Sequence, residues 1–298
     1  MQRRTFLLPF GSALLSAANP GGAGQPQGDL SPARPAGKPT LATAPIEVGG
    51  DWGASLPGAA QAVLSHMRDA SISGVRVVSD RQPERIRVDN YAREPPHIWL
   101  HFDHKPFAWI IVDIGERDWS RLAYQFGHEF GHVMCNIWSP EGNSANPSAA
   151  AWLEEALAEA VSIRGLGALA DRWATNPPFP NDQAFAGAIR QYRDHLVTKY
   201  RTSAAEAGAT DLKAWFRGNR EVLAANGDIG GPTSAAVSAV LAEMTTDPAG
   251  IEALGALNRW PPQSGLSLED YLSLWTRSSA ELGALQRLPM RLKKLLIG

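Results

Sequence analysis

The sequence predicts an α+β fold in which a small mixed sheet comes first, two long helices follow, and a mainly helical subdomain closes the chain. Strand-like alternation is confined to residues 75–114, and two long proline-free helical stretches come next, over 119–137 and 149–169. Beyond Leu169 nearly every segment between Gly and Pro signals has a helical pattern, the last of them Ala280 to Leu296. At 298 residues and 44% hydrophobic content the chain is long enough for a sizeable core. A net charge of -2 gives no electrostatic case for a nucleic-acid partner, and a single Cys excludes an internal disulfide.

In chain order, Gln2-Arg3-Arg4-Thr5-Phe6-Leu7-Leu8 begins a basic end and an apolar run to about Ala18. The run is too short to span a bilayer as a helix, so residues 1–18 read as an export signal. It resembles a twin-arginine signal, with Phe6 and Leu7 in the positions that motif favours, which implies a periplasmic or extracellular destination with no membrane span left after cleavage. Asn19 to Pro45 is rich in Pro, Gly and Ala and reads as a flexible linker. The globular part, 46–298, starts near Ile46.

Residues 46–116 make the sheet part. Leu56 to Ala70 is helical, and Val75–Asp80, Arg85–Asp89, His97–Asp103 and Phe107–Ile114 read as strands. The last two would form a hairpin through Asp103-His104-Lys105-Pro106. His101, Asp103 and His104 do not read as a metal site, because strand alternation does not converge them on one point.

Residues 117–170 hold the chemistry. A helix capped by Asp118 or Ser120 runs from Trp119 to about Ile137, and it contains His128-Glu129-Phe130-Gly131-His132. Two histidines four apart lie one above the other on a helix, so both imidazoles can reach one zinc ion while Glu129 serves as general base. Leu122, Phe126, Phe130, Val133, Met134 and Ile137 gather on one face, and Tyr124, Gln125, His128, Gly131 and His132 fall largely opposite. Gly131 lets a second helix approach closely beside the two ligands. A catalytic zinc takes three protein ligands, so a third is expected downstream.

Asn146-Pro147-Ser148 opens the second helix, which carries Trp152-Leu153-Glu154-Glu155-Ala156-Leu157-Ala158-Glu159. The two motifs together resemble the gluzincin metallopeptidases, the thermolysin-like and M1-aminopeptidase-like group, in which a Glu within W-L-x-E-x-x-A is the third ligand. Trp152, Leu153, Glu155 and Ala158 match that pattern, which makes Glu155 the implied ligand. Glu154 stays open as an alternative, pointing about 100° away. Glu159, one turn on, matches the acidic residue that holds a zinc-bound His in thermolysin-like members, where it would accept the second ring N–H of His128 or His132. Metzincins share the letters H-E-F-G-H but continue to a Gly and a third His where this chain has Cys135 and Trp138. Cys135 falls toward the metal side of its helix and reads as a small buried residue.

The resemblance implies a zincin-like fold and a zinc-dependent peptidase acting on peptides or proteins. Its strand before the first motif would edge the cleft and pair with an extended substrate, which here means Phe107, Ala108 and Trp109 within Phe107–Asp113. It also implies an oxyanion donor from the helical subdomain, 171–298, and Tyr192 or His195 is preferred there over Tyr200 and Tyr271. No G-x-M-E-N segment precedes His128, which favours an endopeptidase or processing peptidase over an M1-type aminopeptidase. An exported binding or scaffold protein that keeps the same fold without catalysis is the alternative.

Overall fold

The computed structural model describes residues 40–53, 55–100, 106–138, 150–225, 229–260 and 266–298. The expected export signal, most of the expected linker, the expected turn containing His101, Asp103 and His104, and Asn146-Pro147-Ser148 lie outside the described residues. The fold is α+β, a four-stranded sheet against a larger helical body.

Order begins before Ile46. Leu41 and Ala44 are buried, and Leu41 N–H donates to Gln82 Oε1 at 2.6 Å. Strand β1 (Ile46–Gly50) leads into helix α1 (Pro57–Ser71), which starts on proline and buries Ala60, Val63, Leu64, Met67 and Ala70 along one stripe. Strand β2 (Arg85–Asn90) then pairs parallel to β1, so β1–α1–β2 is a crossover unit. Strand β4 (Phe107–Val112) pairs parallel to β2, and the short β3 (His97–Ile98) lies antiparallel on its other side, giving the order β1-β2-β4-β3. Ile86, Val88, Ala108, Ile110 and Val112 turn inward to the core. On the opposite face the Arg85 and Arg87 guanidinium groups cover the Phe107 and Trp109 rings at 4.6 and 4.4 Å.

Helix α2 (Trp119–Met134) is capped by Asp118, whose carboxylate accepts from Arg121 N–H at 3.3 Å. It stops short of Ile137 because Asn136 adopts a left-handed conformation, φ 64°, and Ile137 N–H turns back to the His132 carbonyl. Helix α3 (Ala151–Thr175) outlasts its expected end at Leu169 and is buried along most of its length. It packs against α2, α1 and the helical subdomain, so it is the central helix of the molecule. That subdomain comprises α4 (Ala186–Glu206), α5 (Leu212–Ala225), α6 (Pro232–Thr246), a 3-10 segment (Pro248–Ala256), α7 (Leu268–Glu281) and α8 (Arg287–Leu296).

Three sequence expectations are corrected. Val75–Asp80 is not a strand: it finds no neighbouring strand among the described residues and crosses the 3-10 segment, with the Val78 carbonyl against Gly255 and Arg76 paired to Glu252. The expected helix over 280–296 is divided at Gly283, φ 67°. Strand β4 is not an edge strand, because β2 takes one side while β3 and the Trp99 N–H to Trp109 carbonyl bond take the other.

Candidate metal centre

Helical period brings the two histidines of α2 together, and close packing of α3 brings the carboxylate. Gly131 faces the backbone of α3, where a Cβ would stand 2.7 Å from Ala158 Cα. That contact seats Glu155 beside both imidazoles. His128 Nε2 and His132 Nε2 are 3.1 Å apart, and each lies 3.4 Å from Glu155 Oε2. All three side chains are buried.

The triangle fits a metal ion. Tetrahedral ligation at zinc-like bond lengths of about 2.0–2.1 Å puts ligand atoms roughly 3.3–3.4 Å apart. His128, His132 and Glu155 form a group able to hold a metal among the described residues. The charge demand fits as well. Burial works against the His128 imidazolium, yet the Glu155 and Glu159 carboxylates bonded to it hold its pKa up at about 10. Burial likewise opposes the Glu155 carboxylate, and His132 and His128 overcome it and hold that group well below the usual carboxylate range. The carboxylates therefore require a positive charge at this point, which protons supply in the absence of a cation.

Glu159 is fully buried and accepts the Nδ1 proton of His128 at 2.8 Å. Tyr124, one turn before His128, donates its hydroxyl to Glu159 Oε1 at 2.9 Å. With Nδ1 committed as donor, His128 offers Nε2 as its lone-pair atom to a metal. Glu129 sits between the histidines at 2% exposure, and its Oε1 has no hydrogen-bond partner among the described residues. Burial pushes its carboxyl up, and His128 and His132 moderate the rise.

The remaining candidates fall in different places. Glu154 accepts the Tyr271 hydroxyl at 2.7 Å, so both the alternative ligand and one alternative oxyanion donor are turned to each other. Cys135 is buried, and burial together with Glu154 and Glu155 pushes its thiol well above its usual range. Tyr192 packs its ring on Tyr124, 5.8 Å between centroids, which puts it on the Glu159 side of His128. His195 lies on an exposed face of α4, and Tyr200 is buried near Glu159. Phe107 and Ala108 are buried in β4, and Trp109 Nε1 donates to Asp89 Oδ2 at 3.0 Å. The strand nearest α2 at the rim of the sheet is β3 instead.

His97 starts β3, where the sequence expects a strand to begin, and its ring lies on the Ile111 and Trp109 face of the sheet, with Nδ1–H donating to the Pro95 carbonyl at 2.7 Å.

Compared with known proteins, the chain matches no family model, no curated protein and no solved structure.

Proposed function

We propose that this chain is a zinc-dependent metallopeptidase of the gluzincin kind, with a zincin-like fold, that hydrolyses internal peptide bonds of a peptide or protein substrate. The observation that carries the reading is the His128–His132–Glu155 triangle with the carboxylate of Glu129 beside it. Two imidazoles and one carboxylate are a donor set that suits zinc and leaves a fourth position open. Bound there, zinc would supply Lewis acidity, making water nucleophilic near neutral pH and polarising a carbonyl.

The chain supplies the rest. Glu129 Oε1 accepts the proton of the attacking water and returns it to the departing nitrogen. A buried carboxyl whose proton affinity is raised suits both steps. Glu159 keeps His128 in the ligating tautomer. An extended substrate would run along β3 rather than β4, because β3 is the outer strand on this side of the sheet. The basic, apolar N-terminus supports export, and no helix among the described residues is long and apolar enough to cross a membrane.

The deciding experiment compares wild type with Glu129→Gln for zinc content and for cleavage of peptides blocked at both ends. The reading expects about one zinc per chain in both proteins, as one three-ligand site requires, and cleavage by wild type only. Zinc uptake with equal biological activity in the two proteins would instead support a binding or scaffold role.

A further inference from the structure

Positive charge in this chain is gathered on two neighbouring helices. α5 and α8 carry seven Lys and Arg against one Glu, in a chain whose net charge is -2. Helical period sorts these residues. On α8, Leu288, Leu292 and Leu296 are buried, while Arg287, Met290, Arg291 and Lys294 share the outward arc. On α5, Trp215, Phe216 and Leu223 are buried, and Lys213, Arg217 and Arg220 line one exposed flank. The Lys213 side chain lies against Gly298, just past the end of α8, so this flank is the one turned toward α8 and the two stripes adjoin.

Pairing removes only part of the charge. Arg287 and Arg291 bond to Asp247 and Glu243 at 3.3 and 3.1 Å, and each carboxylate is less exposed than the guanidinium that covers it. Arg217, Arg220 and Lys294 have no acidic partner among the described residues. Met290 stands among these cations at 56% exposure, an apolar side chain that the core does not use.

We propose that this surface docks the protein on a membrane of anionic lipid, with the cations of α5 and α8 among the headgroup phosphates and Met290 in the headgroup boundary. Nucleic acid or another polyanion would answer the charge but not the exposed methionine, whereas an anionic lipid surface answers both. The contact is peripheral. The leucine stripe of α8 faces the core, and no helix among the described residues is long and apolar enough to cross a membrane. Binding is therefore mainly electrostatic: each Lys or Arg near an anionic surface strengthens it about fivefold, and salt screens it. The inference is independent of the metal centre.

The test reads the surface itself, in the full chain. Cys135 is buried with its thiol pushed well above its usual range, so an environment-sensitive nitrobenzoxadiazole maleimide reacts selectively at the thiol introduced by Met290→Cys. Vesicles of equal parts phosphatidylcholine and phosphatidylglycerol should shift the label's emission to the blue, and phosphatidylcholine alone should not. Arg217→Gln, Arg220→Gln and Lys294→Gln combined in the labelled chain should raise the lipid needed for a half-maximal response about 100-fold, as three cations at about fivefold each require. High salt should weaken the response in the same way. An unchanged response in the triple variant would overturn the proposal. So would a label that stays in water while the chain sediments with the vesicles, because the membrane contact would then lie elsewhere, as at the basic, apolar N-terminus. An equal blue shift with duplex DNA or polyglutamate in place of vesicles would overturn it in favour of a polyanion partner.

Discussion

Glu159 accepts the Nδ1 proton of His128 at 2.8 Å and the hydroxyl proton of Tyr124 at 2.9 Å, all three groups buried between α2 and α3. Tyr124, Glu159 and His128 thus form a line of oriented dipoles and charge that ends at the candidate metal centre. Replacing Glu159 by Ala leaves the ring free to turn and removes the negative charge that makes His128 a stronger donor. Zinc affinity, measured by competition with a chromophoric chelator, should fall by about 10–100-fold. Tyr124→Phe should weaken it less, in the same direction.

Gly131 predicts a steric effect at the same helix crossing. An added Cβ would meet Ala158 Cα at 2.7 Å and the Ala158 carbonyl oxygen at 3.1 Å, both backbone atoms that cannot rotate away. The helices must part or slide. Gly131→Ala should lower unfolding free energy by about 1–3 kcal/mol, the usual range for overpacking, although alanine favours helix intrinsically. Denaturant melts check the stability. Zinc content should fall with it, because Glu155 lies one helical turn before Ala158 and moves with α3.

The parts of the site that were legible in the sequence are those set by helical period. His128 and His132 are four apart, as are Glu155 and Glu159, so linear spacing already gives relative position. Gly131 marked the crossing of the two helices for the same reason. Of the sheet, only the antiparallel pairing of β3 with β4 was legible. Val75–Asp80 alternates like a strand, but strand formation needs a partner, and this segment meets the 3-10 segment at Gly255. Ile46–Gly50 ends in two glycines and gives little strand signal, yet it pairs along its whole length with β2. The interior position of β4 does not follow from local pattern, since it depends on strand order.

Asn136 and Asn258 tie the end of α2 to the helical subdomain. Asn136 donates to the Gly255 and Leu257 carbonyls at 3.0 and 2.7 Å and accepts from Ser79 Oγ at 3.1 Å. Asn258 returns a bond to the Cys135 carbonyl at 3.0 Å. Both asparagines are left-handed, with φ of 64° and 54°. Asn136→Ala strips buried carbonyls of their donors and puts alanine in a disfavoured conformation, so stability should drop by about 2–4 kcal/mol. Asn136→Gly loses the same bonds without the backbone strain and should recover about 1 kcal/mol of that loss. Chemical denaturation of the three proteins separates the two contributions.

Zinc should reverse the pH dependence of stability. In the metal-free chain the His128 pKa is raised to about 10, against an unfolded value near 6.5, and the Glu155 pKa is lowered. The raised His128 contributes stability that is fully present below about pH 6.5 and is lost as pH climbs toward 10. The lowered Glu155 contributes stability that is present above its unfolded value near 4.3 and is lost on further acidification. Metal-free protein should therefore melt highest at about pH 5–6.5 and progressively lower toward pH 9. Zinc ligation requires neutral imidazoles, so its affinity grows as those protons leave. The rise in melting temperature on adding zinc should accordingly be small near pH 6 and large near pH 8.5. Thermal melts across that range, with and without saturating zinc, measure the difference. A zinc effect independent of pH would mean that the ion binds away from His128 and His132.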